Sequence, residues 1–222
     1  MSAALTVKGG RVATRGLLAA AALALCGTGI HSIAEGLVVP LNAQIGQHRL
    51  ATLFTQRLHH HGEVPVADGD DGAPSIWRKG RPHMHPLASV LAGSPIARLS
   101  VARLGVSDIV LAGDGTHEQL AQGPTMLKRG DAANPVTILA AHRDTHFLFI
   151  RDLRAGDEVD LQLVTGEMQR YRVKRLETVR WDQFAYPLDP AHPLLALTTC
   201  YPFGGTEYGG PLRRVAWAEL VE

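Results

Sequence analysis

Of the two cysteines in the chain, one, Cys200, stands where an apolar run ends. Residues 194–199 are apolar and threonine-rich, as a buried strand would be, and Cys200, Tyr201 and Pro202 close the run because proline cannot continue a central ladder. A glycine-rich stretch, 204–211, follows, and Arg213 comes thirteen positions after Cys200 at the head of another apolar run. Upstream, 136–141 repeats the arrangement and delivers His142. A thiol nucleophile requires deprotonation, a proton donor for the departing amine, and positive charge where an oxyanion develops. Cys200, Arg213 and His142 are the residue types for those tasks. A free cysteine titrates near ~8.5, so a neighbouring cation enlarges its reactive fraction. Arginine keeps its proton, which suits Arg213 to an electrostatic role, whereas histidine exchanges protons near neutrality. A lone strand cysteine more often packs than reacts. The conjunction of three such groups at strand ends is what argues for chemistry.

The elements that must hold these groups are short strands. Residues 96–101, 106–111, 136–141, 158–164, 170–176, 194–200 and 213–220 read as strands between turn signals, with 178–181 as a further short one. Seven or eight such strands in about 125 residues predict a mainly β domain folded as a closed or nearly closed barrel. Helix is expected only as a turn or two near 116–121 and 149–153. The net charge of +1 gives no reason to expect nucleic acid as a partner. Two cysteines make no disulfide framework, and Cys26 lies in an apolar segment away from Cys200, so Cys200 is expected to be a free thiol.

The chain begins differently. Residues 1–15 carry Lys8, Arg11 and Arg15 with no acidic residue, and 16–39 is dominated by apolar residues, interrupted by His31 and Glu35. About 20 residues of helix cross a bilayer core. The reading is a basic cytoplasmic tail over 1–15 and a retained transmembrane anchor over 16–39, with a cleaved signal peptide as the alternative. Leu41, Ile45, Leu50, Leu53, Phe54 and Leu58 recur at helical spacing and predict an amphipathic juxtamembrane helix. The run from His59 to His85 is rich in Gly, Pro and Asp and reads as linker, so 40–92 is helix plus linker and 93–222 the catalytic domain.

The order His142, Cys200, Arg213 resembles that of the sortases, membrane-anchored cysteine transpeptidases. The segments LAAHRDTHF (139–147), RDLRAGDEV (151–159) and LTTCYPF (197–203) are similar to the class found in Gram-negative proteobacteria. The family's Thr-Leu-x-Thr-Cys motif stands here as Ala196-Leu197-Thr198-Thr199-Cys200, without its first threonine, and Ala141 precedes the histidine where glycine is common. The family arginine maps onto Arg213. Arg214 follows it, and alternation along a strand lets only one of the two face the site. The resemblance implies an eight-stranded barrel in which Cys200 attacks a backbone carbonyl within a C-terminal sorting signal similar to Leu-Pro-x-Thr-Gly. The resulting thioacyl enzyme is resolved by an amine. His142 would exchange the protons, and Arg213 would hold the oxyanion or the substrate backbone. The partners implied are a protein substrate bearing that signal, an acceptor amine and the inner membrane, with the catalytic domain on the periplasmic side. No cofactor is implied.

Neighbouring residues carry plainer readings. Asp144 shapes the turn after His142. His146 is a second candidate acid/base, and the motif favours His142. Thr199, Glu207 and Tyr208 are candidate substrate contacts, although a strand threonine usually packs and loop residues are usually solvated. His59 to His61, His83 and His85 lie in the linker without metal-site spacing, and Asp114 and Glu118 form no calcium loop, so no metal is expected. The rival enzyme class, the L,D-transpeptidases, places Ser-x-Gly before its cysteine, where this chain has Leu197-Thr198-Thr199. A hydrolytic cysteine peptidase and a non-catalytic, membrane-tethered barrel that binds without reacting are the remaining alternatives.

Overall fold

Strands β4 (Val136–Ala140) and β7 (Leu194–Tyr201) are apolar on both faces, and every residue of β4 is buried. Such runs suit a parallel pair covered on both sides, and the two strands do pair in parallel, from Val136↔Leu194 to Ala140↔Thr198. The computed structural model describes residues 21–29, 31, 45–59, 93–205 and 209–221. Around the central pair run β1 (Pro95–Val101), β2 (Val106–Ala112), β3 (Thr125–Lys128), β5 (Glu158–Leu163), β6 (Met168–Arg180) and β8 (Leu212–Leu220). The order β1-β2-β3-β4-β7-β8-β6-β5 closes on itself through the antiparallel pairing of β5 with β1. Closure removes free sheet edges.

β5 alternates buried Val159, Leu161 and Leu163 with more accessible residues, the pattern of a strand with one face in the core. Those inward residues meet Leu99, Val101, Val110, Leu139, Phe147, Leu195, Leu197 and Ala216 inside the barrel. A second cluster lies on the outer face of the central strands: Val136, Ile138, Ala196, Val215 and Trp217, with Phe184 and Tyr186 of the β6–β7 connection packed over it. The ring of Phe184 stacks on Trp217 with centroids 6.1 Å apart, and Trp217 Nε1 donates to Glu177 Oε1 at 2.6 Å.

Two strand expectations need correction. β3 was not anticipated: at four residues, TMLK, it is too short for alternation to register, and it is a strand because β2 and β4 pair with it on either side. Conversely, 170–176 and 178–180 belong to one continuous strand, β6, whose pairing with β8 shifts register between Val173 and Arg175, and Trp181 opens a 3₁₀ turn. A bulge bends a strand without ending it. The short helix His117–Gln122 and the 3₁₀ turn Leu148–Asp152 fall where helix was expected. Two further 3₁₀ turns occur at Ala102–Leu104 and Trp181–Gln183.

The chain divides into two compact units, Met1–Asn42 and Ala43–Glu222. In the first, residues 21–29 and 31 are helical and exposed, and among the described residues no helix is long and apolar enough to cross a membrane. The rest of the expected anchor, and most of the linker, lie outside the described residues. In the second unit, residues 45–59 form a helix that packs on the barrel. Phe54 is fully buried against Ile109 and Val164, flanked by Leu50, Ala51 and Leu58, while Ile45 faces away and is 67% exposed. Gln47 pins the helix by accepting from Ile109 N at 2.6 Å and donating to Gln122 O at 3.1 Å. Replacing a buried phenylalanine by alanine costs about 3–5 kcal/mol. Phe54→Ala is therefore expected to release the helix, read as faster amide exchange over 45–59, while the β4 and β7 amides keep their protection.

Candidate active site

The fold brings the three sequence-selected residues to the ends of three neighbouring strands, Cys200 on β7, Arg213 on β8 and His142 two residues past the end of β4. β7 and β8 pair antiparallel with Cys200 directly opposite Arg213. On the other side, the β4–β7 ladder ends at Ala140↔Thr198, and His142 follows two residues later. Side chains in one row of a sheet point to the same face, and neighbouring strands lie about 4.8 Å apart. The face is defined by what lies behind the row. Cys200 shares its side with Ala196, and Arg213 with Val215 and Trp217, all of them members of the outer apolar cluster. Cys200 and Arg213 thus stand on the outside of the barrel at the end of an apolar strip.

The same alternation settles the choice between the two arginines. Arg214 faces the other way, opposite Thr178 of β6, and its Nη1 donates to Thr178 Oγ1 at 3.2 Å. Arg213 is half-buried and holds Gly210 O at 2.5 Å and Leu212 O at 2.9 Å through Nη1. Burial pushes its guanidinium below the ordinary arginine value; the negative charge of a Cys200 thiolate opposes that shift, and Arg143 adds to it. Arginine starts so high that it stays cationic regardless.

Two contacts behind the row hold it in place. Thr199 is buried, and its Oγ1 donates to Ala141 O at 2.8 Å, tying the residue before the cysteine to the residue before the histidine. Arg143 is also buried, and its Nη2 donates to Gly205 O, joining the turn after β4 to the loop after β7. A Cβ at 205 would sit 3.2 Å from both Arg143 Nη1 and Pro202 O, so a side chain there would crowd this approach. Asp144 is exposed. His146 turns away from the row: it is buried, with Nδ1 3.3 Å from Asp108 Oδ2, and it anchors the turn whose Phe147 N donates to His142 O at 3.0 Å. Glu207 and Tyr208 lie outside the described residues, as do His60, His61, His83 and His85. Cys200 is a free, half-buried thiol.

His142 has a neighbour that sequence reasoning did not select. His117 meets it edge to face with ring centroids 4.6 Å apart, and His142 Nε2 lies 3.4 Å from the His117 carbonyl oxygen. No motif marks His117; only the fold brings the helix that carries it over the end of β4. Burial, and then the charge of His117, lower the pKa of His142 from 6.5. In the unfolded chain the group regains its ordinary value and takes up a proton first as pH falls. Stability should therefore decline as pH drops from about 6.5 through the lower folded value. His142→Gln, which cannot charge, should blunt that decline in urea titrations between pH 7 and 5.

A sortase domain model matches residues 99–221. A comparison with curated proteins found no match. Among solved structures, the chain is similar to sortase A from Corynebacterium diphtheriae, at 15% identity and a TM-score of 0.57 over 86% of this chain and 96% of that one. It is likewise similar to sortase C-1 from Actinomyces oris, at 18% identity and 0.53 over 79% and 99%, and to sortase C from Streptococcus pneumoniae, at 14% and 0.55 over 77% and 89%. At such identities these likenesses speak for the fold, an eight-stranded closed barrel of sortase type. The family model spans more than half of the sequence and includes His142, Cys200 and Arg213, and by that match the chain belongs to the sortase family.

Proposed function

We propose that this sortase is a membrane-anchored cysteine transpeptidase that cuts a C-terminal sorting signal similar to Leu-Pro-x-Thr-Gly and passes the acyl group to an amine. The observation that carries the reading is Cys200 opposite Arg213 across β7 and β8, with His142 two residues past the end of β4, the strand on the other side of β7. A thiol with a proton carrier on one side and a fixed cation on the other is the arrangement acyl transfer requires.

In the first half-reaction the Cys200 thiolate attacks the scissile carbonyl carbon, forming the S–C bond. Arg213 faces the negative charge that develops on the oxygen. The C–N bond then breaks as the His142 imidazolium gives its proton to the departing amine, leaving a thioester and a neutral imidazole. In the second, an incoming amine attacks the thioester, neutral His142 takes its proton, and the C–S bond breaks to restore the thiolate and the imidazolium. Glu207 and Tyr208 are the candidate substrate contacts between β7 and β8 in the sequence, and Thr199 would support the site from behind through its bond to Ala141 O. The segment 16–39 would anchor the chain in the inner membrane with the barrel on the periplasmic side.

The test is a peptide library ending in sorting-signal variants, incubated with the full chain with and without an added amine, with mass spectrometry of both products and enzyme. Thioacyl Cys200 and an amine-dependent ligated product are expected from the native chain and neither from Cys200→Ala. Release of free acid unaffected by amine would favour hydrolysis instead, and an acyl adduct on Cys200→Ala would remove the cysteine from the role. Loss of one oxyanion-stabilising donor costs about 10²–10³ in kcat. Arg213→Gln should show a loss on that scale, and Arg214→Gln should stay within a few-fold of the native rate.

A further inference from the structure

We infer that His117 is a positioning residue for His142: its carbonyl selects which ring nitrogen of His142 carries the proton, and its imidazole walls one side of that ring. The role given to His142 rests on the transpeptidase reading above; the two contacts do not.

A carbonyl oxygen can only accept, so the 3.4 Å contact from His142 Nε2 to His117 O requires the hydrogen on Nε2. Neutral His142 is then the Nε2–H tautomer, with the Nδ1 lone pair as its basic site. In the proposed reaction it is Nδ1 that would accept the proton of the incoming amine and later return one to a leaving amine. The other contact works through charge and solvent. The His117 ring stands edge to face against His142 at 4.6 Å, where two imidazolium ions would repel. Its own side is exposed, so it shields its neighbour without being part of the core.

The surrounding groups set the direction of the effect. On His142 itself burial acts first against the charged form and the His117 charge next. The His117 carbonyl and Asp144 favour the charged form, and His146 opposes it. Across the row stand Cys200 on β7 and Arg213 on β8, while Arg143 is turned to Gly205 O. His117 is thus the one group that both opposes charging through its ring and favours it through its carbonyl, and only the ring can be removed by substitution.

The test is a pH titration of the full chain labelled with ¹³C and ¹⁵N in histidine, with the His142 signals assigned by their loss in His142→Gln. The native chain should show the ¹⁵N pattern of an Nε2–H tautomer at high pH and a His142 midpoint below 6.5. His117→Phe keeps an aromatic wall and removes the charge, and the midpoint should rise. His117→Ala removes the wall as well, and the midpoint should rise further, with the limb of the pH–rate profile assigned to His142 moving in the same order. Because His117 is exposed, both variants should unfold at the native urea midpoint. An Nδ1–H tautomer in the native chain, or a His142 midpoint unmoved in both variants, overturns the inference. The spectra need no substrate, so a chain that shows these shifts but transfers no acyl group would refute the transpeptidase reading and leave the role of His117 standing.

Discussion

The site depends on the register of β7 between its two neighbours. Parallel pairing with β4, which ends two residues before His142, leads the histidine toward the end of β7, and antiparallel pairing with β8 sets Arg213 opposite Cys200. A slip of one residue in either ladder would turn one member of the row to the opposite face. What prevents the slip is the hydrophobic pattern behind the row. Leu195 and Leu197 fill the barrel while Ala196 faces Trp217 and Ile138 outside, and exchanging those sets would force large side chains out of the core. The Thr199 and Arg143 hydrogen bonds then hold the last residues, beyond the point where the ladder itself ends.

Burial gives the three groups their electrical character. His142 and Arg213 are both shifted away from their charged forms by loss of solvent, with different consequences. Arginine has so much reserve that Arg213 remains a fixed positive charge, whereas histidine has little, and a modest shift decides whether it carries a proton at neutral pH. One end of the row is therefore a permanent charge and the other an adjustable one. The adjustable end is the one contacted by the short helix that starts at His117.

The strands that build the row were legible in the sequence because they are long apolar runs ended by clear signals: proline after Tyr201, and a polar turn after His142. Alternation also separated Arg213 from Arg214, once the pairing of β8 fixed which face was which. Legibility failed where a strand owes its existence to its neighbours. β3 is held by β2 and β4 more than by its own four residues, and β6 is continuous although 170–176 and 178–181 read as two separate strands. His117 was illegible for a related reason. It lies 25 positions from His142, on a helix with no motif of its own, and only the closed fold brings them together. The amphipathic pattern over 41–58 was readable, and 45–59 is helical, but its partner was not: the face carrying Phe54 packs on barrel residues far along the chain.

Parallel strands cannot be joined by a tight turn, and β4 and β7 are separated by the whole of β5 and β6. The nucleophile and its proton carrier are thus 58 positions apart, the same separation as the Ala141–Thr199 contact just behind them. Contacts of such long range form only after the intervening loop has been closed, and they come late in folding. Until the barrel shuts, the emerging chain holds a thiol with neither its histidine nor its arginine beside it. Topology in this way acts as a maturation check: the reactive trio is assembled by the same event that completes the fold, so a chain stalled on the way carries an ordinary cysteine.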